Sequence, residues 1–257
     1  MADADGELLE SQIEYYRARV PDYDDWWFRR GRHDVGEAFA KRWDGEIARV
    51  RAAFDAFAPH GDVLELAAGT GNWTVEIARH AGRITAVDAA PEAFDSARKK
   101  LSGATVPIDW VVADLFAWEP PRRYDVVCFS FWLSHVPLGR FDEFWSLVDA
   151  ALKADGRVFF LDNAHPALGG PAIPRRFRQD GTRIEGIDSW TDLESGVSTR
   201  TVADGREFDI VKVFWEPEPL RRRLASLGWD IEVSTTNWAF LYGHGSRLDG
   251  HGSRRNP

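Results

Sequence analysis

Between residues 40 and 164 the chain switches repeatedly between two hydrophobic rhythms. Trp43, Ile47, Val50, Phe54 and Phe57 recur at spacings of four and three, which predicts an amphipathic helix over 40–57 that Pro59-His60-Gly61 ends. VLEL (63–66) is a short apolar strand running into Ala67-Ala68-Gly69-Thr70-Gly71. Residues 72–80 read as a helix and 83–90 as a second strand, after which Pro91 suits a first helical turn. IDWVVADLF (108–116) and YDVVCFSF (124–131) predict strands three and four. Leu138, Phe141, Trp145, Val148 and Leu152 share a helical face over 138–152, Asp155-Gly156 turns the chain, and RVFFLDNA (157–164) is strand five. Strands alternating with helices imply βαβ units and a parallel sheet, and near-continuous apolar strands imply that both faces are covered.

After residue 165 the rhythm breaks. Residues 165–195, rich in Gly, Pro and charge, predict an irregular insertion. STRTV and EFDIVKVFW flank Asp204-Gly205 as a hairpin would. Pro219 is expected to open a helix with Leu220, Leu224 and Leu227 on one face and Gly228 at its end. DIEVS and WAFLYGHG then form two last strands around Thr236-Asn237, and the polar tail from Ser246 reads as disordered. The expected fold is an α/β, Rossmann-like doubly wound sheet. The organisation is an N-terminal helical cap (1–57), a core (58–164), a lid and hairpin insertion (165–216), a C-terminal helix and hairpin (217–245) and the tail (246–257).

Composition narrows the function classes. A net charge of −9, with basic residues in short scattered clusters such as Arg98-Lys99-Lys100, argues against a nucleic-acid partner. No apolar run approaches the ~20 residues that cross a bilayer, so no membrane partner is expected. The N-terminus lacks the basic and apolar regions of a secretory signal, and one cysteine, Cys128, leaves no disulfide framework. Cytoplasm is the expected location.

The chemistry gathers at strand ends. The turn Glu65-Leu66-Ala67-Ala68-Gly69-Thr70-Gly71-Asn72 joins strand to helix, where glycine lets a ligand approach the backbone closely. Asp88 ends strand two, where a carboxylate meets the ribose hydroxyls of an adenosine, and Asp114 ends strand three, suited to the adenine amine. Open α/β sheets bind ligands at the carboxyl ends of their strands, and three such features fall on three successive strands.

VLELAAGTGNWT resembles the first motif of class I S-adenosylmethionine (SAM)-dependent methyltransferases, and AVDAAPEAFDSAR the acidic segment that follows. VVADLF resembles the adenine-contacting segment and DVVCFSFWLSHVP the fourth-strand motif, in matching order over residues 61–164. The resemblance implies an antiparallel last strand at 217–243 and SAM as cofactor. Gly69 and Gly71 would pass the methionine portion, with Glu65 beneath holding the loop or the amino group. Asp88, with Ala89, would bind ribose; Asp114, Leu115 and Phe116 would bind adenine; Ser130 and Phe131 would lie near the reacting centre. Asn72 and Trp73 would complete the loop, and Ala67 replaces a glycine common in the family, slightly tightening the turn. The segment EYYRARVPDYDDWWFRRGRHD resembles the cap of small-molecule methyltransferases, which nominates Tyr16, Tyr23, Trp27 and Arg30, against a plain packed aromatic helix.

Methyl transfer needs alignment and exclusion of water, with base help when the acceptor starts as a hydroxyl. His135, just beyond strand four, is the catalytic candidate; His33 and His165 are weaker ones, and Trp132 is expected to wall the acceptor pocket. Ser130 stands where catechol-type enzymes carry a magnesium ligand, so no metal is expected. The expected acceptor is a small aromatic or apolar metabolite. A non-catalytic SAM-binding module and a nicotinamide oxidoreductase are the alternatives; the latter wants a third glycine, where this chain reads Asn72-Trp73-Thr74.

Overall fold

The computed structural model describes residues 2–166, 190–192 and 194–248. Helices α1 (Ala2–Trp27) and α2 (Glu37–Phe57) lead into β1 (Asp62–Leu66), α3 (Thr74–Ile77), β2 (Arg83–Asp88), α4 (Pro91–Lys100), β3 (Ile108–Val112) and β4 (Tyr124–Ser130). Then follow α5 (Phe141–Ala151), β5 (Leu152–Asn163), β6 (Trp190–Asp192), β7 (Val197–Thr201), β8 (Glu207–Val211), α6 (Pro217–Ser226), β9 (Trp229–Thr235) and β10 (Phe240–Arg247).

Seven strands form one sheet in the order β3-β2-β1-β4-β5-β10-β9. The first five run parallel, and β10 pairs antiparallel with both β5 and β9. The expected Rossmann-like sheet with its antiparallel last strand is therefore present. Both faces are buried, as the apolar strands require. One face packs Phe129, Phe144, Trp145, Phe160, Leu220 and Trp229 under α5 and α6. The other packs Trp43, Val50, Phe54, Val63, Phe94 and Phe240 beneath α2 and α4, so α2 belongs to the core sandwich although it was grouped with the cap. Each such side chain contributes about 1.5–3 kcal/mol by leaving water.

Several boundaries differ from the hydrophobic pattern for local reasons. The α3 helix stops at Ile77 because His80 N–H bonds back only three residues, to the Ile77 carbonyl at 3.0 Å. The third strand ends at Val112, since the Asp114 carboxylate accepts the Phe116 N–H at 3.0 Å and turns the chain. In β5 Leu152 already pairs with Tyr124, and a register shift before Val126↔Arg157 absorbs the Asp155-Gly156 turn as a bulge. Pro217, not Pro219, opens α6. Strand β10 runs through Ser246 to Arg247, two residues into the expected tail.

Strands β6, β7 and β8 form a small separate antiparallel sheet. Tyr15 of α1 packs onto it against Val202, Phe208 and Ile210. Cap helix and insertion thus make one roof over the carboxyl ends of the main strands. Residues 167–189, the bulk of the expected irregular insertion, and the tail from 249 lie outside the described residues.

Candidate functional site

A cavity of about 840 Å³ opens where the strand order reverses between β1 and β4, the usual ligand position in such sheets. Its floor comes from the loops after β1, β2, β3 and β4, and its roof from α1. The 840 Å³ counts the open solvent at its mouth as well as the enclosed space.

The floor is built by backbone geometry. Ala67 and Gly69 both have φ of +54°, and Gly71 has +80°. Gly71 is needed for packing, because a Cβ there would stand 2.8 Å from the Ala97 Cβ of α4. Gly69 faces open space, with nothing within 4 Å of where a Cβ would be. Asp88 ties this loop to β2: its carboxylate accepts the Gly69 N–H at 2.7 Å and the Ala90 N–H at 2.8 Å. Each oxygen keeps lone-pair capacity toward the cavity it lines. Burial raises the Asp88 pKa, and those backbone donors oppose the rise.

Along the wall stand Ala89, Asp114, Leu115 and Phe116, then Ser130, Phe131 and Trp132. Phe131 is held in a left-handed conformation at φ +55°, and its N–H bonds the Leu161 carbonyl at 2.7 Å. Tyr16 and Tyr23 come down from α1 with Gln12, Ile13 and Val20, one face of a helix. These groups suit SAM: a diol-binding carboxylate, a glycine cradle and aromatic walls for a sulfonium cation.

Other nominated residues face elsewhere. Glu65 and Trp73 line a second, smaller cavity of about 220 Å³ with Phe54, Ile77 and Cys128; Ser130 borders both cavities. The Glu65 carboxyl oxygens and Trp73 Nε1 find no hydrogen-bond partner there. Burial pushes the Glu65 carboxyl up to about 8, Thr74 opposing and Asp88 adding to the rise. Asn72 instead joins a latch across the loop. Lys100 Nζ donates to Asn72 Oδ1 at 2.7 Å, to the Thr70 carbonyl at 2.8 Å and to Asp24 Oδ1 of α1 at 2.7 Å.

Trp27 is buried in the core beside Trp43 and Trp73, and Arg30 is exposed and paired with Asp25 at 3.2 Å. The neighbouring Arg29 takes the interior place. Its guanidinium lies 3.6 Å above the Trp43 ring, and Nε and Nη2 have no partner. Burial brings Arg29 down to about 9, with Arg19 adding to the fall. Both residues lie beyond the end of α1 at Trp27, and the left-handed backbone of Arg29, at φ +54°, carries no signal in the sequence.

His135 does not line the cavity; Tyr16 stands between them, with its hydroxyl 2.6 Å from His135 Nε2. His135 Nδ1 lies 2.6 Å from the Val211 carbonyl. Burial holds the ring well below the usual histidine range, and Lys212, Arg200 and Arg19 push the same way. His33 pairs with Asp22 at 3.0 Å, and His165 packs edge-on to Phe214.

Those three cations were not foreseen. Lys212 is buried after β8, donating to Ser134 Oγ and Asn163 Oδ1 at 2.8 Å each, with Asp162 3.8 Å away. Burial brings it down to about 8; Asp162 opposes, while Arg200 and Arg19 deepen the fall. Arg19 lies over the Tyr15, Tyr23 and Trp26 rings at 5.3–5.6 Å. Among the described residues no group of three His, Cys, Asp or Glu is placed to hold a metal ion, and no helix is long and apolar enough to cross a membrane.

Comparison with known proteins places this geometry. A family described as a methyltransferase domain matches residues 63–156. The structure of DhpI with S-adenosylhomocysteine (SAH) is 33% identical, covers 95% of this chain and 98% of that one, and superposes with a TM-score of 0.71. A complex of DhpI with SAM and HEP is 35% identical over 93% and 97% of the two chains, TM-score 0.72. Nodulation protein S of Rhizobium tropici is 31% identical over 69 residues, 27% of this chain and only 29% of that protein. NodS of Bradyrhizobium japonicum, an N-methyltransferase solved with SAH, shares the fold at 14% identity, with a TM-score of 0.56 and coverage of 91% and 97%. With near-full-length likeness to DhpI and the sheet order that likeness requires, the chain belongs to the class I SAM-dependent methyltransferases.

Proposed function

We propose that this protein transfers the methyl group of SAM to a small molecule that bears an anionic group, bound between Tyr16 and the ends of β4 and β5. The carrying observation is the cluster of positive charge made by buried Lys212 with half-buried Arg19 and Arg200, which together act on His135. A carboxylate beside Lys212, Asp162, is already occupied by the Ser134 and Asn163 N–H groups at 2.8 and 2.7 Å. Burial disfavours the charged form of Lys212, and an acidic acceptor would add negative charge to that of Asp162. The aromatic walls Tyr23, Phe131 and Trp132 suit the apolar or aromatic body expected from the sequence. The DhpI complex with SAM and HEP supports the presence of a second ligand besides the cofactor.

SAM supplies an electrophilic methyl on a sulfonium, and transfer to an anion annihilates charge, which a dry pocket favours. In this reading Asp88 and Asp114 hold the adenosine, Gly69 gives the methionine portion its room, and α1 excludes water. Arg29, stacked on Trp43 with Nε and Nη2 unpartnered among the described residues, is the cation offered to a carboxylate of the cofactor.

The test is methyl-labelled SAM offered with paired acceptors, each acid beside its neutral ester or amide. Label should enter the acids alone, and SAH, but not NAD, should raise the melting temperature. Equal labelling of the neutral partners would overturn the anionic reading.

A further inference from the structure

One hydrogen-bond chain in the roof has a fixed direction. The Val211 carbonyl can only accept, so His135 Nδ1, 2.6 Å away, carries a proton. In the neutral ring Nε2 then offers a lone pair, and the Tyr16 hydroxyl at 2.6 Å gives it its single proton. Burial pushes the Tyr16 phenol well above its ordinary range, so it stays protonated. With that proton committed to His135, the Tyr16 oxygen has only lone pairs left to offer a ligand of the cavity that Tyr16 lines. That polarity repels an oxyanion.

A single added proton reverses the chain without moving a heavy atom. With Nε2 protonated, the imidazolium donates to the Tyr16 oxygen, and the hydroxyl proton is released to point into the cavity. The Nδ1–H bond to Val211 is unchanged in either state. Gln12 braces both ends, its Nε2 donating to the His135 carbonyl at 3.2 Å and its Oε1 accepting the Val211 N–H at 3.1 Å.

We propose that Tyr16 and His135 form a reversible donor that recognises the acceptor's oxyanion: the anion enters together with one proton from solvent, which settles on His135 Nε2 and turns the Tyr16 hydroxyl toward the anion. Tyr16 is the recognising group and His135 the positioning residue behind it. This rests on the anionic acceptor argued above. The charges acting on His135 are Lys212 beyond β8, Arg200 on β7 and Arg19 on α1, with Asp162 of β5 beside Lys212. Without an anion they and burial keep the ring neutral; an oxyanion at Tyr16 offsets them and makes the imidazolium affordable. Tyr16 reaches His135 from the cap, so the donor exists only while α1 lies on the small sheet.

Sulfate is a suitable probe, because it stays a dianion between about pH 5 and 8 and any proton taken up belongs to the protein. Calorimetric titration of the SAH-saturated full chain, in buffers of different ionisation enthalpy, counts those protons. The expected result is an uptake approaching one proton per sulfate, with affinity falling roughly tenfold per pH unit from the pKa of the free state up to that of the bound state and levelling off above it. His135→Asn should abolish the uptake and flatten the pH profile, and Tyr16→Phe should weaken sulfate binding. Nitrogen NMR of the wild type with labelled histidine reads the same event without a variant: a neutral Nδ1–H ring becomes doubly protonated on adding sulfate. Sulfate binding with no uptake and an unchanged His135 signal overturns this inference while leaving the anion site standing. Uptake that persists in His135→Asn overturns it as well. Failure of sulfate to bind at all removes the anionic-acceptor reading and this inference with it.

Discussion

Replacing Asp88 by alanine separates two tasks performed by one carboxylate. In the free protein its oxygens hold the Gly69 and Ala90 N–H groups at 2.7 and 2.8 Å. An unpartnered buried donor costs about 1–3 kcal/mol, and the lower end applies because the cavity admits water to both. The variant should thus lose about 2 kcal/mol of stability, a melting shift of roughly 4–8 °C for a chain of this size. The second task, in the function proposed above, is the ribose. Two charge-assisted hydrogen bonds at about 1.5–3 kcal/mol each, partly replaced by water, give a loss of about 3–5 kcal/mol in SAH binding, roughly 10²–10⁴-fold. Calorimetry well below the melting point of the variant measures the affinity apart from the stability. Affinity within threefold of wild type, in a variant that melts lower as expected, would place the ribose somewhere else.

Four further outcomes follow from the geometry. Glu65 has a folded pKa of about 8 against an ordinary carboxyl value near 4.5, so its contribution to stability is full at low pH and is lost as pH rises through that window. Glu65→Gln should therefore gain on the wild type steadily between about pH 5 and 8 in melting scans; parallel profiles would refute it. Asp24→Ala releases Lys100 Nζ and the Thr70 hydroxyl, each 2.7 Å from the same oxygen, and should speed SAH dissociation roughly tenfold in stopped flow, worth about 1.4 kcal/mol; an unchanged rate means α1 is not the gate. Ala67→Gly relieves a left-handed alanine at φ +54° and should stabilise by up to about 1 kcal/mol after the entropy cost of glycine, read as denaturant midpoint; a loss refutes the strain. Lys212→Met should cut kcat/KM for an acidic acceptor roughly 10–100-fold and leave SAH affinity unchanged; equal loss of both would put Lys212 in the cofactor site.

That the residues proposed for the cofactor line one cavity was legible because each is placed by local sequence. Gly69, Asp88, Asp114 and Phe116 each sit within a few residues of a strand end, and strand ends are what hydrophobic periodicity locates best. The order of strands then brings them together by a topological rule that leaves little choice. Ala67 was marked as a departure from glycine, yet its positive φ was not visible, since nothing in an Ala-Ala pair signals a left-handed turn. Glu65 shows the limit of motif reading: the strand places it correctly, but alternation points its side chain through the sheet toward Phe54 and Cys128.

The acceptor half was hidden for a different reason. Arg19, Arg200 and Lys212 come from a cap helix and two strands of an insertion, each ordinary in its own stretch of sequence. Only the docking of Tyr15 on Phe208 and Ile210 carries them to the ends of β4 and β5. A net charge of −9 does not reveal that Arg19, Arg200 and Lys212 come close enough together to act on one histidine. The same docking sets Tyr16 on His135, so the charge proposed to select an acceptor and the roof proposed to exclude water are made by one packing event. An acceptor site built this way diverges without disturbing the cofactor site: the insertion can change its charges while the glycine loop, Asp88 and Asp114 stay as they are. That separation is the physical reason why a sequence of this kind announces its methyl donor and keeps its methyl acceptor for the structure.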